Sequence, residues 1–105
     1  MTPIQSERDF QGFVIDLAHV YHWKVAHFRP ALTKRGWRTP VSADGKGFPD
    51  LCLVRDRIIF IECKSQKGKL SLDQEFWRIG LTAAGVEYHL WTPETPEKEI
   101  LKALE

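Results

Sequence analysis

The chain has 105 residues, of which 43% are hydrophobic and 28% charged, and a formal net charge of +1 at pH 7. This suits one domain over residues 1–105 with a modest core, without an accessory domain and without the strong basic excess of a general nucleic-acid binder. No apolar run approaches the ~20 residues of a membrane span and no leader pattern opens the chain, so an intracellular, cytoplasmic protein is expected.

The first helix is expected from Ser6, whose hydroxyl can cap it, to about Tyr21, because Phe10, Val14, Leu17, Ala18 and Tyr21 recur on one stripe, with Phe13 widening it. Glu7 lies on that stripe one turn before Phe10. It either answers the helix dipole or points at the sheet that follows, as part of a site. His19, His22 and His27 make no metal-ligand pattern on a single face. Lys24 to Phe28 reads as the first strand.

Pro30 to Lys46 reads as a loop, since Pro30, Gly36, Pro40 and Gly45 break any regular period. Residues 24–46 hold six basic residues (Lys24, Arg29, Lys34, Arg35, Arg38 and Lys46) against the single acid Asp44. Such a concentration either tracks phosphates or is a solvated face. Trp37, amid these cations, either stacks on an unpaired base or anchors the loop to the core.

Leu51 to Val54 and Ile58 to Ile61 are short apolar runs separated by Arg55-Asp56-Arg57, the pattern of a β-hairpin. Strand alternation puts Ile58, Phe60, Glu62 and Lys64 on one face and Ile59, Ile61 and Cys63 on the other. A carboxylate and an ammonium thus continue an apolar face, which requires a partner for the charge or a solvated cleft. Asp50 can meet them across the hairpin. A two-residue turn would send Asp50 to the opposite face, so an even register, such as Asp50 opposite Lys64, or a bulge is required. Two neighbouring carboxylates call for a divalent cation, and oxygen donors suit Mg²⁺ or Mn²⁺. Cys52 and Cys63 read as buried reduced thiols that strand pairing could bring together, and no CxxC supports zinc.

Ser65 to Lys69 is turn-like, and Ser71-Leu72-Asp73-Gln74 fits a capping box that opens a largely apolar helix ending before Gly85. Val86 to Trp91 is a strand. A strand, helix, strand order implies a right-handed crossover and hence pairing parallel to the strand that ends at Lys64. A short helix after Pro96 carries Ile100, Leu101 and Leu104. The expected order is α-β-β-β-α-β-α, an α/β fold with a mixed sheet flanked by helices.

Pro49-Asp50, eleven intervening residues and then Glu62-Cys63-Lys64 resembles the PD-(D/E)xK nuclease signature. The wider run of Gly47-Phe48-Pro49-Asp50, Glu62-Cys63-Lys64, Gly68-Lys69-Leu70-Ser71, Gln74 and Ala84-Gly85-Val86 to Trp91 resembles the virus-type replication-repair nuclease (VRR-NUC) branch over nearly the whole chain. The resemblance implies a restriction-endonuclease-like core and a Mg²⁺- or Mn²⁺-dependent DNA endonuclease acting on branched DNA such as Holliday junctions. It also implies a homodimer, in a bacterium or phage-infected cell. Asp50, Glu62 and the backbone carbonyl of Cys63 would hold the metal, with Glu7 as a further acid. Lys64 would orient the attacking water, and Gln74 would support the constellation beyond its capping role. Arg29, Lys34, Arg35, Trp37, Arg38, Lys46, Lys67 and Lys69 would contact DNA. The contrasting reading is a catalytically silent nucleic-acid-binding or assembly module of the same fold. A nucleotide phosphoesterase is less well served, for want of a phosphate-cradling glycine loop.

Overall fold

The structure is a computed structural model that describes residues 6–66 and 68–105. Helix α1 (Glu7–Val20) starts at Ser6, whose hydroxyl accepts from the Asp9 amide at 3.1 Å. It is followed by β1 (Lys24–His27), β2 (Ala31–Thr33), β3 (Gly36–Arg38), β4 (Leu51–Val54), β5 (Ile58–Cys63), α2 (Leu72–Ala83), β6 (Glu87–Trp91) and α3 (Glu97–Leu104). The main sheet runs β1-β4-β5-β6, antiparallel at its first two pairings and parallel between β5 and β6. A mixed sheet flanked by helices is therefore present, and the crossover through α2 gives the expected parallel strand.

The strand alternation sorts the two faces. Ile59, Ile61 and Cys63 join Leu51, Leu53 and Trp91 in the core, where Phe10, Val14 and Ala18 of α1 and Ile100 and Leu104 of α3 cover them. The other face carries Cys52 and Phe60, which pair across β4 and β5. Phe48 packs edge-on against Phe28, Phe60 and Trp77 at 5.0 to 5.5 Å between centroids, joining this face to α2. Cys52 pairs with Phe60 rather than meeting Cys63, and both thiols are free.

One expectation is corrected. The stretch from Pro30 to Lys46 is not wholly loop: β2 and β3 form a separate antiparallel ribbon, with Leu32 opposite Trp37 and Gly36 closing the turn at φ +94. Thr33 builds that turn locally, donating to the Gly36 carbonyl at 2.7 Å and accepting from the Arg35 amide. In α2 no residue is buried, and its apolar positions Leu72, Phe76 and Ile79 face outward. Among the described residues, no helix is long and apolar enough to cross a membrane.

At the β4–β5 turn, Arg55 donates to the carbonyls of Tyr21 and Leu104, and Arg57 donates to that of Ala103. Both guanidiniums lie over the Trp23 ring, at 4.4 and 5.1 Å. The last turns of α1 and α3 leave carbonyls without helical partners and carry negative partial charge, so the two arginines bind both helix ends to the sheet.

Candidate active site

The site lies at the end of β5 opposite that turn. Val54 pairs with Ile58 across the three-residue connection Arg55 to Arg57, and the Arg55 amide bonds the Arg57 carbonyl at 3.1 Å. The register is therefore even. Continued by one residue beyond Leu51 and Ile61, it sets Asp50 opposite Glu62 rather than opposite Lys64, two residues further on. Both acids share the face turned away from the core. Asp50 is held from two sides, its carbonyl accepting from the Phe28 amide at 3.0 Å and its Oδ2 from the Cys63 amide at 3.1 Å. Cys63 lends its backbone here. Its thiol lies in the core, and burial pushes its pKa well up.

Glu62 is 1% exposed, the only buried charged residue among those described. Gln74 Nε2 donates to Glu62 Oε1 at 2.9 Å, and Glu62 Oε2 is buried without a hydrogen-bond partner. Burial raises the Glu62 pKa to about 9, and the adjacent Asp50 charge adds to it. The Lys64 ammonium opposes the rise. Without a cation, the site therefore keeps Glu62 neutral at pH 7.

Glu7, at the first turn of α1, is exposed, yet partial desolvation raises its pKa; Lys64 lowers it and Asp50 raises it again. It shares the field of the site without completing a cluster. Among the described residues, no three His, Cys, Asp or Glu side chains gather closely enough to hold an ion. Among the described residues, Asp50 and Glu62 face each other across the strand pair, and Glu62 Oε2 keeps an unused buried lone pair. That donor set fits Mg²⁺ or Mn²⁺, which bind through one or two carboxylates and keep several waters. The stem of Lys64 lies against Gly68, where an added Cβ would come within 3.2 Å of Lys64 Cβ and Cδ.

The walls come from α2. Gln74 completes the capping box with Ser71 and donates to Glu62 at the same time, so capping does not use up its side chain. Gly47 adopts φ +87, and a Cβ there would fall 2.5 Å from the Asp73 carbonyl carbon and 2.7 Å from the Gln74 nitrogen. Only glycine fits between Phe48-Pro49-Asp50 and the start of α2. Trp77 Nε1 donates to the carbonyls of Asp44 and Lys46 at 3.0 and 3.1 Å, pinning the end of the long connection. Trp77 and Tyr88 were missed by sequence reasoning. The parallel pairing of Phe60 with Tyr88 puts the phenol on the site face, where burial and then the Glu62 charge raise its pKa. The alternation of Val86, Tyr88 and Leu90 was the available signal.

The expected DNA contacts divide. Arg29, Lys34, Arg35, Trp37 and Arg38 are exposed on or beside the ribbon, so Trp37 does not anchor a loop to the core. Lys46 is exposed and lies 3.6 Å from Asp73. Lys69 is exposed beyond β5, whereas Lys67 lies outside the described residues.

A family model for the VRR-NUC domain matches residues 18–92. No curated protein and no solved structure matches the chain.

Proposed function

Because the chain belongs to the VRR-NUC family, whose domain implies a nuclease-type fold acting on DNA, we propose that it is a Mg²⁺- or Mn²⁺-dependent endonuclease selective for branched DNA. The observation that carries this reading is Glu62, a carboxylate buried in the nuclease motif with one oxygen unsatisfied and Asp50 directly across the strand pair. A binding module has no physical need for such an arrangement, since an uncompensated buried carboxyl costs about 1–3 kcal/mol or more.

Asp50, Glu62 and the Cys63 carbonyl would hold the ion, with Glu7 acting through its charge at the edge. When bound, the ion supplies charge neutralisation at the scissile phosphate and a more acidic water. Lys64 would orient the attacking water and balance the charge that develops on the phosphate. Gln74 holds Glu62 Oε1 and would so leave Oε2 available to an ion. The Cys63 amide does the same for Asp50.

A homodimer is the assembly that cutting two strands with one site per chain requires. Its support is the outward apolar face of α2, where Leu72, Phe76 and Ile79 are exposed beside the site. Incubation of plasmid and of four-way and linear DNA, with and without Mg²⁺, tests the activity. Metal-dependent nicking that Asp50→Ala abolishes is expected. Binding without cleavage at millimolar Mg²⁺ would instead establish the silent module.

A further inference from the structure

The β2–β3 ribbon sets two large apolar side chains in water. Leu32 and Trp37 are directly opposite each other, which places both on one face of the ribbon, and they are 69% and 65% exposed. Neither main-sheet strand nor helix pairs with the ribbon. A cross-strand apolar pair normally gains its stabilisation by covering something, and here nothing among the described residues is covered.

The surroundings indicate what would cover it. Lys34 and Arg35 form the tip, Arg38 lies on the strand carrying Trp37, and Arg29 stands at the base. None of these four forms an ion pair among the described residues. An apolar pair on a ribbon that carries unpaired cations at its tip, at its base and, through Arg38, on its other face is complementary to a surface that is anionic outside and aromatic inside. A second copy of this chain docking ribbon to ribbon would meet it with like charge, whereas opened nucleic acid has both properties.

The ribbon is also fixed relative to the carboxylates at both ends. Phe28, just before it, bonds the Asp50 carbonyl, and the Asp44 and Lys46 carbonyls after it are held by Trp77. Leu32 lies four residues after Phe28, a reach of about 13 Å in extended chain, or roughly four nucleotide steps.

We propose that Leu32 and Trp37 form a wedge that enters the opened base stack at a DNA branch point, with the ribbon cations gripping the flanking phosphates. The proposal rests on the DNA reading of the site and adds what selects the substrate. Trp37 stacks on the exposed base and Leu32 fills the gap beside it. The cut then falls within about four nucleotides of the branch, from the same chain geometry.

The test separates the wedge from the chemistry by measuring binding without divalent metal. Affinity for a four-way junction and for linear duplex is compared in wild type, Leu32→Ser, Trp37→Ser and Trp37→Phe, with permanganate oxidation of thymines at the branch as a reading of unstacking. Each serine variant is expected to reduce the junction-over-duplex preference by about tenfold, the usual size of one base–aromatic stack, and to remove the permanganate signal. Trp37→Phe should restore most of both. An Arg35→Gln, Arg38→Gln variant should weaken both DNAs together and leave the preference intact. Equal losses on both DNAs in the serine variants, or an unchanged permanganate pattern, would overturn the wedge. So would conversion of a wild-type dimer to monomer by Trp37→Ser in sedimentation, which would make the ribbon a contact between copies. Absence of Mg²⁺-dependent cleavage with the preference intact would overturn the nuclease reading alone.

Discussion

The Gln74 side chain joins the cap of α2 to Glu62: its Oε1 accepts from the Ser71 amide at 2.8 Å while its Nε2 donates to Glu62 Oε1 at 2.9 Å. The same amide closes a helix terminus and orients the buried carboxyl, so the position of α2 is registered against the sheet through one residue. Gln74→Ala is expected to lose about 1 kcal/mol of stability as the cap weakens and to lower cleavage by roughly ten- to a hundredfold as Glu62 loses its orientation. Ser71→Ala should reproduce the stability loss while retaining most of the rate. Thermal melts beside single-turnover cleavage would separate the two effects, and equal rates for the two variants would remove Gln74 from the site.

Glu62 should make the metal-free protein less stable as pH rises. Its folded pKa, pushed up to about 9, lies above the unfolded value near 4.5, so between these values the folded state binds one proton more than the unfolded state. Stability falls with pH across that window, by about 1.4 kcal/mol per unit for a single proton. Glu62→Gln removes the effect. Wild type should lose that much more per pH unit than the variant in denaturant titrations between pH 6 and pH 8, both figures lying roughly within the window. Parallel pH profiles would contradict a neutral buried Glu62.

Binding of a divalent ion should release that proton. A carboxyl held neutral at pH 7 must ionise to become a ligand, so calorimetric titration with Mg²⁺ or Mn²⁺ in buffers of different ionisation enthalpy should report about one proton released per site. Affinity should rise up to tenfold per pH unit below pH 8, roughly, by the same linkage. Asp50→Asn is expected to remove most of the binding.

Gly47→Ala should be severe. Its Cβ would fall within 2.7 Å of backbone atoms at the start of α2, and φ +87 disfavours any side chain there. A loss of about 2–4 kcal/mol is expected, with cleavage impaired even below the melting temperature because Asp50 and Gln74 are both displaced. Gly80→Ala, at a position with nothing within 4 Å, is the control and should be neutral or stabilising.

Arg55→Ala should weaken the fold without touching the chemistry. It removes donors to the Tyr21 and Leu104 carbonyls and the cation over Trp23. About 2 kcal/mol should be lost in denaturant unfolding, with the rate at saturating substrate unchanged.

The main sheet was legible because its strands obey a simple period: Ile59, Ile61 and Cys63 mark the core face as plainly in the sequence as in the structure. The placing of Asp50 beside Glu62 followed once an even register was required. Which even register was not readable, because the choice rests on the Arg55 to Arg57 hydrogen bond and not on any apolar pattern. The β2–β3 ribbon escaped because strands of three exposed residues carry no alternation of burial, although Thr33-Lys34-Arg35-Gly36 holds a turn signal. For α2, the capping box and the apolar positions marked the helix but not that Leu72, Phe76 and Ile79 would face outward. Periodicity reports a face that avoids water, and it does not say which molecule will cover it.

The arginine turn and the carboxylate pair stand at opposite ends of β5, five residues or about 16 Å apart. A saturating mutational scan scored separately for abundance and for turnover should therefore resolve into two nearly disjoint maps. Trp23, Arg55, Arg57 and the ends of α1 and α3 would fill the first, while Asp50, Glu62, Lys64 and their supports would fill the second. Gly47 and Gln74, where the wall of the site is also a helix start, are the positions where the two maps should overlap.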